Sequence, residues 1–389
     1  MAGNKWTVAR AARYARDARI ATAAYLREAP VARTWQISKL MRAHQVHTAH
    51  LGQPEAATML LFGGLGYRPP FPSAWPEAAD LIVTDEAHCL DSAQLYVLTP
   101  QMCDVVVAAA LSLTVEDLQL LDADDLPSPT GLVVLPHPLL VTGVGGDLSD
   151  DRAYCWSTPA SVLRPDPEKA DGVGSAPAVR VSAYDDTHGP VRPDSFRDLA
   201  AEARRQGTPL PPLLLDSIRC LPFRYTDGDP QALNRLAAAA RHVDGALRNT
   251  AAAHGLDESH VEGEYAPDSQ IDDVDDTFTL RFLYAFWRLC EQRLTDVAPT
   301  EVNHAARLQA DRAQVPADVR VVQLRQRDPA RDRPTQDRAW QHRWVVRMHK
   351  VRQWYPSEQR HKVIYRGPYV KGPAEGPLLR GEAARALVR

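Results

Sequence analysis

After Pro316 the spacing of apolar residues changes character, and this change constrains the fold more than any other feature of the chain. Upstream, the most hydrophobic stretch, Thr279 to Val297, places Phe282, Leu283, Phe286, Leu289 and Cys290 on one face of a helix. Downstream, Val319–Arg325, Arg343–Arg347 and Lys362–Tyr365 alternate as strands do. The helix has an apolar face that must be covered, and the alternating segments can cover it. The pattern predicts an α+β fold: an α-rich body with a small C-terminal antiparallel β unit over Val319 to Lys371, packed against the 279–297 helix.

With 389 residues the chain can bury a large core and divide into subdomains. Three regions are expected. Residues 1–150 form an N-terminal α-rich subdomain with a few strands, 151–317 a helical middle region, and 318–389 a basic, aromatic-rich β unit and tail. In the first, a helix interrupted at Pro30 carries Arg10, Arg13, Arg16 and Arg19 on a solvated face, and a second helix runs from Thr34 to His50. Turns follow at Gly63 to Pro70. Strands are expected at Leu81–Thr84, Tyr96–Leu98 and within Gly131–Val141, with helices at Gln101–Leu113 and Thr114–Leu121. The Pro, Asp and Gly-rich stretch 143–174, with one possible strand at Ala153–Trp156, suits a boundary. Helices are expected from Asp194 to about Ala253, interrupted at Pro209–Pro212, and from Val302 to Gln314. Residues 257–276 hold nine acids and no Lys or Arg, the composition of a solvated loop.

The formal net charge of −4 conceals a strong partition. Val319 to Gly372 contains fourteen Lys and Arg against four Asp and Glu, a local excess of +10, so the rest of the chain carries −14. Such a patch attracts polyanions although the whole protein is acidic. No apolar run is long enough to cross a bilayer, and the N-terminus lacks the apolar core of a secretory signal, so a cytoplasmic location with no membrane partner is expected. Five scattered cysteines without a C-x-x-C pair read as reduced core thiols.

Several catalytic classes lack their signatures. Asp85-Glu86-Ala87-His88 spells a helicase magnesium motif, but no Gly-x-x-x-x-Gly-Lys-Ser/Thr loop precedes it to cradle phosphate. His44, His47 and His50 are spaced along a predicted helix with no Glu between them as in a metalloprotease helix, and the acidic loop lacks the alternating ligands of a calcium loop. No nucleophile elbow, kinase set or dinucleotide fingerprint is present. No cofactor and no metal is expected.

The C-terminal segment is different in kind. Trp340, Trp344, Trp354, Tyr355, Tyr365 and Tyr369 are interleaved with Arg343, Arg347, Lys350, Arg352, Arg360, Lys362, Arg366 and Lys371, and with His342, His349 and His361. Cations neutralise phosphates and rings stack on bases, so this mixture suits nucleic acid; Trp, Tyr and Arg also dominate protein interfaces. The candidate binding residues are Arg343, Arg347, His349, Lys350, Arg352, Gln353, Trp354, Tyr355, His361, Tyr365 and Lys371. An alternative is a metal-independent ribonuclease with His349 and His361 as general base and acid and Arg352 or Lys350 stabilising the phosphorane. A structural protein of a phage particle is a third class.

Arg343 to Ser357, followed by His361 and Pro368-Tyr369-Val370-Lys371-Gly372-Pro373, resembles the C-terminal signature of a broad family carried by phages, plasmids and bacterial genomes, which includes type V-A anti-CRISPR proteins. His349, Gln353, Trp354 and Tyr355 match the pattern in place, whereas Met348, Lys350, Val351 and Tyr365 depart from it. The resemblance is looser at Pro70–Trp75 and Asp318–Arg325. It implies an element-encoded regulator or inhibitor that lowers production of a target protein, through contacts with RNA, the ribosome or a nascent protein, with a CRISPR effector among the possible targets.

Overall fold

The computed structural model describes residues 6–44, 58, 61–143, 148–165, 173–223, 270–273, 277–292, 295–325, 342–355, 360–373 and 376–378. Its centre is an eight-stranded mixed sheet, so the chain is an α/β protein and the expected α-rich body with a small β unit is wrong. The strands in spatial order are β5 (Leu213–Pro222), β4 (Val173–Asp186), β3 (Leu148–Pro165), β2 (Thr130–Thr142), β1 (Gln94–Leu98), β8 (Val319–Leu324) and β7 (Thr295–Pro299). The short β6 (Gln270–Asp272) pairs parallel with the far half of β2. The β2 to β5 meander is antiparallel, β1 is parallel to both β2 and β8, and β7 closes the other edge antiparallel to β8.

Both faces of the sheet are covered. Leu95 and Val97 of β1, Leu132 and Val134 of β2, and Val319 and Val321 of β8 pack toward α1 (Val8–Glu28), α2 (Pro30–Ala43) and α3 (Trp75–Ser92). Their neighbours Tyr96, Leu98, Val133, Leu135 and Val322 pack toward α4 (Pro100–Ser112), α5 (Val115–Leu118) and α7 (Phe278–Cys290). Strands buried on both sides read as continuous apolar runs, which hides their alternation. In the second layer Trp156 of β3 lies 5.5 Å from Tyr96, and 5.8 Å from both Phe286 and Trp287, by ring centroids. It sits on the backbone of Gly131, its register partner, where a Cβ would meet the indole at 2.2 Å.

Several local readings change for stated reasons. Leu81 to Thr84 lies inside helix α3, because Ala78, Ile82, Glu86 and Leu90, with Ala79, Val83 and Ala87 beside them, form a helical stripe of buried positions that outweighs the β preference of Ile and Val. The 279–297 helix stops at Cys290 and the chain turns into β7. After α6 (Asp194–Arg205) comes the edge strand β5, whose alternate burial is masked by a run of leucines; residues 224–269, including the rest of that predicted helix and much of the acidic loop, lie outside the described residues. Helix α8 (His304–Ala313) follows β7. Within the stretch 143–174, Leu148–Pro165 form β3 and Val173 begins β4, while 144–147 and 166–172 lie outside the described residues.

Arg16 and Arg19 are not on a solvated face. Arg19 is 0% exposed and donates to the carbonyl of Ala93 at 3.3 Å and to that of Pro316 at 2.5 Å. Ala93 is the C-cap of α3, where a cation meets the negative end of the helix dipole. Burial lowers the pKa of this guanidinium to about 10.

Candidate functional site

The predicted C-terminal β unit divides. Its first strand, β8, joins the central sheet parallel to β1, so the expected antiparallel unit begins only at residue 344. The remainder is a bent two-stranded ribbon. β9 (Trp344–Val346) pairs antiparallel with β12 (Tyr369–Lys371), and β10 (His349–Tyr355) with β11 (Arg360–Arg366). The bend falls where Arg347 and Met348 oppose Gly367 and Pro368. Gly367 sits at φ 104°, and a Cβ there would press on the Arg347 carbonyl oxygen at 3.1 Å, so this position favours glycine. Gly372 at the ribbon's end is tighter still, with φ 112° and a Cβ that would lie 2.2 Å from the His342 carbonyl oxygen.

The base of the ribbon is fixed to the core. Val345 is buried in the same cluster as Phe286 and Trp156, with Met348, Val370 and Leu378 packed around it. The Gln292 side chain, just beyond α7, donates to the Pro368 carbonyl at 2.6 Å. Arg343 is half-buried and structural, its backbone N–H bonding Pro377 O at 2.8 Å and its Nε bonding Gly376 O at 2.7 Å.

The outward side of the base carries charge. Arg347, His349, Arg366 and Lys371 are exposed. Tyr369 lies beside two of them: the His349 ring is 6.1 Å away by centroids, and the Lys371 ammonium stands 5.7 Å from the phenol ring. The His349 Nδ1 lies 3.0 Å from the Arg347 carbonyl oxygen, a distance at which an Nδ1–H donates to it. This group can meet an anionic partner with cations around an aromatic ring. Of the predicted residues, His349 and Lys371 come together here around Tyr369, with Arg366 the cross-strand partner of His349; Arg347 is exposed at the bend and interacts with Asp117 of α5. The period of two in Tyr369-Val370-Lys371 is the sequence signal that places that ring and ammonium on one side.

Lys350, Arg352, Gln353, Trp354, Tyr355, His361 and Tyr365 belong to β10 and β11, where the backbone register pairs His349 with Arg366, Lys350 with Tyr365, Gln353 with Lys362, and Trp354 with His361. Position 354 is five residues from 349, about 17 Å along a strand. Position 361 pairs with 354, so the backbone positions of the two histidines stand about 17 Å apart along the ribbon.

The Asp85-Glu86-Ala87-His88 run is on α3, and its acids are structural. Glu86 is 1% exposed; its carboxylate receives the Tyr184 hydroxyl at 2.7 Å and lies 3.6 Å from Nε of Arg180 on β4. Asp85 pairs with the same guanidinium, which also donates to Cys89 Sγ at 3.2 Å and stacks 4.8 Å from the Tyr67 ring. Burial pushes the Glu86 carboxyl up despite Arg180, and pushes the thiols of Cys89 to about 11 and Cys220 to about 12, which leaves them unreactive. Among the described residues no three His, Cys, Asp or Glu side chains converge as metal ligands. His44 ends α2 with its ring 5.2 Å from Trp75, whereas His47 and His50 lie outside the described residues. No helix among the described residues is long and apolar enough to cross a membrane.

Compared with known proteins, the chain matches no family model and no curated sequence.

Proposed function

We propose that this protein is a mobile-element-encoded regulator of the anti-CRISPR type, which lowers production of a target protein by docking RNA, a ribonucleoprotein or a nascent polypeptide on its bent C-terminal ribbon. The observation that carries the reading is the exposed pair His349 and Lys371 around Tyr369, with Arg347 exposed at the adjoining bend, beside a base that the core holds in place. A fixed platform presents its cations without a large ordering cost on binding. The resemblance of His349, Gln353, Trp354 and Tyr355 to the family signature supports the same surface. The separation of positions 349 and 361 favours binding over a two-histidine ribonuclease.

The test is the salt dependence of binding to a fluorescent single-stranded RNA. Each phosphate contact contributes about 0.7 to the slope of log K against log salt. Arg347→Ala with Lys371→Ala should weaken binding and reduce that slope by about 1.4 in total. Binding that is insensitive to salt and to both substitutions would overturn RNA as the partner. RNA cleavage abolished by His349→Asn with affinity intact would overturn binding as the function.

A further inference from the structure

A second concentration of charge lies toward one edge of the sheet, where β3, β4 and β5 run side by side. Asp150 and Asp151 of β3 are 0% and 3% exposed, and Asp185 of β4 is 7% exposed. Asp151 and Asp185 are direct partners in the antiparallel register, a position in which Cβ atoms approach to about 5 Å and like charges repel. Around this pair, from β3 come Ser149, Asp150, Arg152 and Tyr154; from β4, Asp186; from the turn after it, Arg192; from β5, Asp216 and Arg219; from α2, Lys39; from α1, Tyr14.

The cations are already committed. The Arg192 guanidinium reaches Asp150 at 2.9 Å and Asp185 Oδ2 at 2.7 Å, Arg152 faces Asp186 at 3.5 Å between the Trp6 and Tyr14 rings, and Lys39 pairs with Asp216 at 3.3 Å. Asp151 instead receives the Tyr154 hydroxyl at 2.7 Å. Asp150, Asp151, Asp185, Asp186 and Asp216 make five carboxylates, against the four cations Lys39, Arg152, Arg192 and Arg219, which leaves one surplus negative charge in a buried place. Asp185 Oδ1 is buried and accepts no hydrogen bond from any described residue, although Oδ2 of the same group is paired. Because Asp151 is the register partner of Asp185, an O–H···O hydrogen bond between the two carboxyl groups would fill this orphaned oxygen.

We propose that Asp151 and Asp185 share one proton at neutral pH, and that this proton closes the end of the β3–β4 ladder and the turn that Arg192 holds. Loss of the proton with rising pH opens the ladder there and loosens residues 187–193, which lead into α6. Burial, reinforced by the Asp216 carboxylate, drives both carboxyls well above the ordinary range, in agreement with the geometry. The device acts on a part of the fold remote in sequence from the C-terminal ribbon, and it does not depend on what the ribbon binds.

Infrared spectroscopy of the full chain reads the proton directly through the C=O stretch of a buried carboxylic acid, and hydrogen exchange reads the ladder. The wild type should show the acid band at pH 6, and the band should weaken as pH rises. Asp185→Asn and Asp151→Asn, each a neutral replacement of the same shape, should each remove one carboxylic acid equivalent. In both, exchange at 149–152 and 184–193, corrected for the intrinsic rate, should lose its pH dependence. A wild type without the band at pH 6 overturns the proposal by itself, whether or not either variant folds. So does a variant that keeps the full band or the wild-type exchange profile.

Discussion

Replacing Arg180 with Met tests whether the Asp85–Glu86 pair is structural. The guanidinium is 8% exposed and serves Asp85, Glu86, Cys89 and the Tyr67 ring at once, so its removal strands a carboxylate that is 1% exposed. Breaking a buried pair by deleting one partner costs about 3–5 kcal/mol, and the lost ring contact adds up to about 2 kcal/mol. In the variant, Glu86 keeps the Tyr184 hydrogen bond but loses its cation, so its folded-state pKa, already raised by burial, rises further. A carboxyl whose folded pKa exceeds its unfolded value binds more protons when folded, so stability falls as pH rises toward the folded pKa, by at most about 1.4 kcal/mol per pH unit. The cost should therefore be larger at pH 8 than at pH 5. Urea unfolding at both pH values measures it, with an unchanged m-value confirming that compactness is retained. Adding Glu86→Gln should restore about 1–3 kcal/mol, because the stranded charge is then absent. A cost below about 1 kcal/mol, independent of pH and additive with Glu86→Gln, would refute the structural role.

Two further substitutions probe the ribbon and the core. Gly372→Ala forces a side chain into left-handed backbone against the His342 carbonyl and should release β12 from β9, seen as faster amide exchange at 344–346 while the central sheet stays protected. Trp156→Ala empties the contact with Tyr96, Phe286, Trp287 and Gly131 and should cost about 3–5 kcal/mol in urea unfolding; a loss below about 1 kcal/mol would show that this cluster does not organise the core.

Much of the local structure is legible in the sequence, and the sheet is not. Helix α4 has a Thr99 cap that accepts from the Met102 N–H and a Pro at its first position, and the break at Pro30 separates α1 from α2, as such signals predict. Strand β1 is read in place. The architecture fails to emerge because its strands are distant in sequence: β1 pairs with β8 across more than two hundred residues, and period-two spacing in Val319–Leu324 carries no information about which strand it will meet. The long β2 is broken by Pro136 and Pro138, and in the fold this is an irregularity in register between Val134 and Leu139 rather than an end. The basic ribbon is visible from composition, whereas the Asp151–Asp185 pair is not, since two aspartates far apart in the chain look solvated until the β3–β4 register makes them neighbours.

The ribbon's two halves differ in what holds them, and this bears on how it would engage a partner. β9 and β12 are anchored by buried Val345, with Met348 and Val370 partly buried against the same core that contains Phe286. Among the described residues β10 and β11 pair only with each other. A lone two-stranded hairpin is marginal in water, and its backbone order depends on what lies against it. Lys371 is on the fixed side of the bend, Arg347 is at the bend and His349 is the first residue beyond it, while Gln353, Trp354 and Tyr355 lie further out. An anionic partner would meet the fixed cations first, where long-range attraction sets the encounter. On the proposed reading, contact with the hairpin would follow and would cost ordering, whereas contact with the base would not.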